Sequence, residues 1–456
     1  MEYFLLIASL VSVVAIFTVR WPVEAALGVC AFLLPFDTVL VAGQVGGIHL
    51  HVTWFAAAAA CATLLLTGLM SGRGFVPPPR PALWWTLFVL WAISSSAWAL
   101  NLETTTFRWP VLALLLILYL VTGSFHASEK ELSRVAWMAI LGGCAASGIV
   151  LYEFSRGQTW VPQNLQEALA AAATGSRATL MLGGLVTDPN ILAASLILSL
   201  SLAVGLLLSS RNWMGRLVSV GAVALITSSI FATMSRGALV ALCVVFLVFL
   251  WRSRASWRVL LLLAMMAAVI GGLVWAKPEV VDNRLQATFE DRGAGRLDIW
   301  NAGLEAFRHH AILGVGLDGF PAAINNYGYV FIDAFPGPEG SHNIYIGTAV
   351  DLGVIGLALL LCAVTDHFLM SARLFRSGTH GPARLRLISY EAACWGLLTC
   401  GFFVDLLWEM YFWLAWMLLI MALRASTGEW IPNTALARYA YRFNASSREN
   451  FASSRV

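Results

Sequence analysis

Apolar runs of membrane-spanning length alternate with short polar breaks along most of this chain. A crossing helix needs about 20 apolar residues. By that measure segments fall near 3–19, 22–42, 51–70, 82–100, 108–123, 132–154, 179–208, 217–234, 237–251, 258–276, 342–368, 387–407 and 409–424. Two adjacent pairs are separated so briefly, by 20–22 and by Glu409, that the pattern reads as about 12 spans. A bilayer core offers no water to backbone groups, so these segments must be helices. The expected fold class is all-α: a polytopic transmembrane helix bundle of about 12 helices with one large, partly helical periplasmic loop. The bundle covers 1–424, the loop 277–341 is inserted within it, and a polar tail runs over 425–456. The first segment lacks a basic start and a small-residue cleavage site, so it reads as a spanning helix rather than a removed signal.

Arginine sets the orientation. The short loops 71–81, 211–216, 252–258 and 371–386 carry the basic residues and are expected on the cytoplasmic side, together with the tail. The opposite face then carries 155–178, the Ser235-Arg236-Gly237 junction and the long polar loop that leads through Ser341-His342-Asn343 into the apolar run IYIGTAVDLGVIGLALLL.

Composition agrees with a membrane setting. The chain is 59% hydrophobic and 12% charged, against about 25% charged for soluble domains, and its mean hydropathy is +0.77. The net charge of +3 is small and says little about partners; membrane lipid is an expected partner and nucleic acid is not. Only Lys130 and Lys277 are lysines, so the cations are nearly all arginines, the better bidentate ligands for phosphate oxygens. Seven cysteines lie inside apolar segments with no CxxC or Cys/His spacing, so neither disulfides nor a metal site is expected. HExxH, Walker, GxSxG and DxD patterns are missing, which leaves a nucleotide-driven pump or a metalloprotease unsupported.

Within the loop, Arg296 to Ile312 has helical period, with Leu297, Trp300, Leu304 and Phe307 on one face. The Gly314-Val-Gly316-Leu-Asp-Gly319 run follows a helix rather than a strand, so it reads as a flexible turn near a substrate and not as a dinucleotide cradle. Pro189, in Asp188-Pro189-Asn190, predicts a kinked or broken helix within 179–208. Three outward arginines, Arg177, Arg236 and Arg296, read either as interfacial residues reaching headgroups or as ligands for a pyrophosphate. His342 is open between a helix cap and a general base, since imidazole titrates near neutrality. His309 and His310 read as structural, and nothing near His49 or His51 in the sequence supports a role for them.

The motifs SRGALVAL, GRLDIWNAGLEAFRHHAILGVGLDGF and SHNIYIGTAVDLGVIGL, with RATLMLGGLVTDPNILAA upstream, resemble the bacterial O-antigen ligase and O-antigen polymerase superfamily. The resemblance covers about 175–360; before that only topology is similar. It implies a multi-pass glycosyltransferase of the bacterial inner membrane with its site facing the periplasm. The implied donor is a glycan on undecaprenyl pyrophosphate, the favoured acceptor lipid A-core oligosaccharide, and no cofactor or metal is needed. By matching position, Arg236 and Arg296 would stabilise the departing pyrophosphate, and His342 would act as general base. Arg177, Asn190 and Asn343 would bind substrate. A polysaccharide polymerase or a protein O-oligosaccharyltransferase would share this donor chemistry. A transporter of lipid-linked sugars is the alternative from a different class.

Overall fold

The computed structural model describes residues 18, 20–45, 48–70, 75–160, 177–182, 184–210, 212–253, 296–327, 340–376 and 381–427, with isolated helical positions between 264 and 275. The segments read near 3–19 and 258–276, and the tail beyond 427, lie almost wholly outside these residues. So do 277–295 and 328–339 of the large loop.

The order begins with a short apolar helix α1 (Glu24–Phe36) and a hairpin of β1 (Val41–Val45) and β2 (Ile48–His51). Then come α2 (Val52–Met70), α3 (Pro81–Ser94), α4 (Leu102–Ser124) and α5 (Glu129–Ser155). A two-residue-strand hairpin, β3 (Met181–Leu182) with β4 (Leu185–Val186), precedes α6 (Pro189–Ser209), α7 (Trp213–Ala232) and α8 (Arg236–Ser253). The large loop supplies α9 (Arg296–His309) and α10 (Phe320–Tyr327). The chain closes with α11 (Ile344–Arg376), α12 (Gly381–Cys400) and α13 (Met410–Thr427). Among the described residues, seven helices are long and apolar enough to cross a membrane: α2, α4, α5, α6, α7, α8 and α11. The protein is an all-α, multi-pass bundle.

Its centre is α6, whose most apolar window is 83% buried. Lipid tails are as apolar as leucine, so helices in a membrane gain by close approach of small residues and by hydrogen bonds across the interface. Both devices surround α6. Ser199 donates to the Ala139 carbonyl of α5 at 2.8 Å, and Ser201 to the Ser389 carbonyl of α12 at 2.7 Å. Gly143 meets Ser199, Gly205 meets Ser389, and Gly396 meets Ile197 and Val245. A methyl group at any of these would have to push a helix away.

Several spans differ from their sequence boundaries. The 22–42 segment stays helical only to Phe36 and then, past Pro35 and Asp37, turns into the β1–β2 hairpin. Pro189 neither kinks nor breaks a helix. It occupies the first turn of α6, where its missing N–H costs nothing, and Asp188 Oδ1 caps the helix from Asn190 N (2.6 Å) and Ile191 N (3.2 Å). Residues 179–188 therefore lie outside the helix. The last two helices are not joined by Glu409 alone; a turn over 401–409 separates α12 from α13.

The glycine-rich run is a packed joint rather than a flexible turn. Helix α11 breaks at Gly353 (φ 68°), which frees carbonyls that a membrane interior cannot leave unbonded. Val315 N donates to Val350 O (3.0 Å), Gly316 N to Asp351 O (2.9 Å), and the Trp91 indole to Leu352 O (2.9 Å). Gly314 (φ 74°) lies against Asp351 O, and Gly353 against Ile312 O. Each glycine leaves room for the other strand of backbone.

Helix α9 starts where predicted but ends at His309 rather than Ile312, and it buries a different face. Ile299, Ala302 and Ala306 are buried, and Gly303 meets Phe320 and Ile346. Leu297 and Leu304 are exposed. The small residues allow close docking on α10 and α11, which outweighs burying the larger side chains.

Candidate functional site

Many helices start at the same end of the bundle. Asp188 caps α6, Ser235 precedes α8, Arg296 opens α9 and Asn343 precedes α11. Unpaired N–H groups and the positive end of the helix dipole make such starts attractive to anions. Arg236 and Arg296 are the first residues of α8 and α9, so two arginines begin helices at this end.

The 401–409 turn ties these starts together. Asn343 caps α11 by accepting from Tyr345 N (2.9 Å) and Ile346 N (3.0 Å), and its side-chain amide donates to Phe402 O at 3.3 Å. Ile344 N donates to Gly401 O (2.8 Å), and the Tyr345 hydroxyl to Leu398 O (2.8 Å). From the other side, the Phe403 ring covers Gly237, next to Arg236, with no room for a Cβ between them. The Trp300 indole, one turn beyond Arg296, donates to Ser341 O at 3.0 Å and brings α9 to the same place. Thus His342 is flanked by residues that anchor α9, α11 and the turn. Its own backbone is left-handed (φ 46°), a conformation that costs a non-glycine residue about 1–3 kcal/mol. Met234 (φ 52°) and Asp318 (φ 56°) share that conformation. All three mark chain reversals beside this end of the bundle.

Arg177 and Asn190 form the adjoining wall. Arg177 is 8% exposed. Its Nε donates to Thr233 O (3.0 Å), its Nη2 to Asn190 Oδ1 (2.9 Å), and its guanidinium lies 5.4 Å from the Trp160 ring centre. Ala178 N also donates to Ala232 O at 3.0 Å. The pair therefore clamps the end of α7 immediately before Met234-Ser235-Arg236. The Thr38 and Thr187 hydroxyls share a 2.6 Å hydrogen bond that fastens the α1 end to this wall.

A group of carboxylates, which sequence reasoning passed over, completes the site. Asp405 lies within electrostatic reach of His342, Arg108 and Asp318. Burial pushes Asp405 up to about 6; Asp318 adds to the rise, while the Leu407 N–H and the charges of Arg108 and His342 oppose it. Arg108 Nε pairs with Asp318 Oδ2 at 2.8 Å, and its guanidinium sits 5.1 Å from the centre of the Trp408 ring. Asp318 N donates to Asp351 Oδ2 at 3.0 Å. Beyond them, His51 Nδ1 lies 2.9 Å from Asp37 O and 3.5 Å from Asp37 Oδ1, and Thr53 donates to Asp37 Oδ1. Burial lowers the His51 pKa, but the Asp37 hydrogen bond and charge outweigh it, so the net shift is upward. Burial, reinforced by Asp37, raises Glu409. His51 thus has structural partners after all. Arg108, Asp405 and Glu409 all lie within or between apolar segments, where retained charges signal function.

Residues 221–361 match the family model described as O-antigen ligase. Over that stretch the chain is similar to the O-antigen ligase family. The matched region holds Arg236, Arg296, His342 and Asn343. Arg177, Asn190, Asp405 and Glu409 lie outside it. No curated protein matches the chain.

Proposed function

We propose that this enzyme transfers a glycan from undecaprenyl pyrophosphate to a hydroxyl of an acceptor, lipid A-core oligosaccharide being favoured, at the periplasmic face of the bacterial inner membrane. The observation that carries this reading is the 401–409 turn, which binds the segment carrying His342 on one side and packs against the start of α8, beside Arg236, on the other. A base and an anion-binding cation belong on opposite sides of a reacting anomeric carbon.

His342 takes the proton of the acceptor hydroxyl as that oxygen attacks the anomeric carbon. The bond from that carbon to the pyrophosphate oxygen breaks in the same displacement, which inverts the centre. Arg236 and Arg296, each at a helix start, receive the charge that develops on the leaving pyrophosphate. Asp405, as an anion, stabilises the imidazolium formed on His342. Arg177 and Asn190 hold the Met234–Arg236 junction, and Asn343 holds His342, so all three serve the substrate through position. No step calls for a metal or a cofactor.

The test is to incubate the purified full-length protein with a defined lipid-linked oligosaccharide and, separately, lipid A-core, a second lipid-linked repeat or a hydroxyl-bearing peptide, and weigh the products. Glycosylated lipid A-core supports the ligase reading. Extension of the lipid-linked chain, or modification of the peptide, moves the assignment to a polymerase or a protein glycosyltransferase. Donor moved across vesicles with no product from any acceptor contradicts the enzyme reading in favour of a transporter.

A further inference from the structure

The opposite end of the bundle holds a second basic constellation that the glycan chemistry does not use. Helices α8 and α11 end there, and α12 begins. A cavity of about 380 Å³ is lined by Trp251, Arg252, Ala372, Phe375, Arg376 and Arg384. Three of its six lining residues are arginines and none is acidic.

The cavity is built rather than incidental. Arg252 reaches inward to the fully buried Glu391, with Nη2 at 2.5 Å and Nε at 3.2 Å from Oε1; Ser371 donates to the other carboxylate oxygen at 2.9 Å. A buried carboxylate needs such partners, so Arg252 and Glu391 neutralise each other behind the wall. The Phe375 ring lies between two guanidinium groups, 4.6 Å from that of Arg252 and 4.8 Å from that of Arg384. Both aromatic rings of the lining thus already hold a cation of the protein, since Arg252 also lies 4.0 Å from the Trp251 ring centre. Arg384 donates to Arg252 O (3.0 Å) and Phe375 O (3.5 Å), tying the ends of α8 and α11 together. Arg376, exposed on the last turn of α11, forms no ion pair with any described carboxylate. Among the described residues lining the cavity there are thus three guanidinium groups, and the carboxylate behind them, Glu391, is taken by Arg252.

We infer that this cavity binds the phosphate headgroup of an anionic membrane phospholipid. The charge excess selects a phosphate oxyanion, and arginine offers it paired donors. A lipid, rather than free phosphate, fits because α8 carries an exposed apolar stripe that runs to the cavity. Val240, Leu247 and Trp251 are 48%, 60% and 64% exposed and, with exposed Cys243, recur at intervals of three and four residues along one helix face. An acyl chain lies along that stripe while the headgroup enters the cavity; Trp251 stands where indoles favour the membrane interface. Basic pockets between helix ends at this depth suit anionic headgroups. A choline headgroup offers the same phosphate but brings a quaternary ammonium that the arginines repel, so it should bind more weakly.

Full-length protein in phosphatidylglycerol and phosphatidylcholine, mixed equally, is examined by native mass spectrometry, with Arg376→Glu, Arg376→Gln and Arg373→Glu alongside. Arg373 is a neighbouring exposed residue outside the cavity, so Arg373→Glu matches the charge change. Retained phosphatidylglycerol should exceed phosphatidylcholine at least about 5-fold in the natural protein and fall about 10-fold in Arg376→Glu. It should fall less in Arg376→Gln and hold in Arg373→Glu, with unfolding midpoints unchanged. Equal loss in Arg376→Glu and Arg373→Glu, or no preference for phosphatidylglycerol, overturns the site. Displacement of phosphatidylglycerol by inorganic phosphate at roughly 10 mM, far above any tight-binding range, would make it a site for free phosphate instead.

Discussion

The Asn343 side-chain amide donates to the Phe402 carbonyl at 3.3 Å while its oxygen caps α11, so one residue fixes both the start of that helix and the turn before α13. His342 sits immediately ahead of it with a left-handed backbone. The position of His342 is therefore fixed in part through its neighbour.

Replacing Asn343 tests this. Asn343→Ala removes a cap worth about 1 kcal/mol and the tie to Phe402, and transfer should fall by at least about 10-fold. Asn343→Asp keeps the two accepting bonds and loses the donor. It should unfold near the natural midpoint yet still transfer more slowly, read by thermal unfolding in detergent and by the transfer assay.

The arginines should respond to shape as well as charge. Arg236→Lys and Arg296→Lys keep one positive charge and lose the planar fork, and kcat should drop on the order of 10²-fold with folding intact. Arg177→Lys should instead lower stability, because Arg177 spans Thr233 O and Asn190 Oδ1. Its loss of activity should be recovered in part at lower temperature.

Asp405 gives a pH signature. Its carboxyl titrates at about 6 in the folded protein, above its usual 3.8. Between these values the folded state binds the proton more readily than the unfolded state, so this group's contribution to stability falls as pH rises through that window. Asp405→Asn should therefore raise the unfolding midpoint at pH 7.5 by about 2–4 °C. It should also slow transfer and remove the acidic limb near pH 6 from the kcat profile. An unchanged profile would separate Asp405 from the reaction.

The joint at α11 makes a stability prediction. Gly353→Ala places a methyl group against Ile312 O at a positive φ and should cost about 1–3 kcal/mol. Trp91→Phe leaves Leu352 O without its indole donor and should cost about 1 kcal/mol. Both are read as loss of monodisperse protein on heating.

The spanning helices were legible because hydrocarbon thickness imposes a length that sequence displays directly. Arg236, Arg296 and His342 drew attention because polar residues at the mouths of apolar segments stand out, and the structure places the two arginines at helix starts and His342 just ahead of one. The buried face of α9 was not: close docking favoured Ala302, Gly303 and Ala306, and a rule that buries the largest apolar residues chooses the wrong side. Pro189 was misread because a proline at a helix start and one inside a helix look alike until Asp188 is seen as the cap. Asp405 and Glu409 were hidden among the aromatic residues between the last two helices. Asp37 reaches His51 only through the β1–β2 hairpin, a pairing that no local pattern announces.

The central claim is that His342 performs the chemistry while Arg236 and Arg296 hold the leaving group. Single-turnover transfer from a defined undecaprenyl-pyrophosphate glycan in proteoliposomes, with donor binding measured on the same samples, tests it most directly. His342→Ala should bind donor at natural affinity and transfer on the order of 10²–10⁴-fold more slowly, whereas Arg236→Ala should lose both binding and transfer. Transfer by His342→Ala at the natural rate would contradict the account.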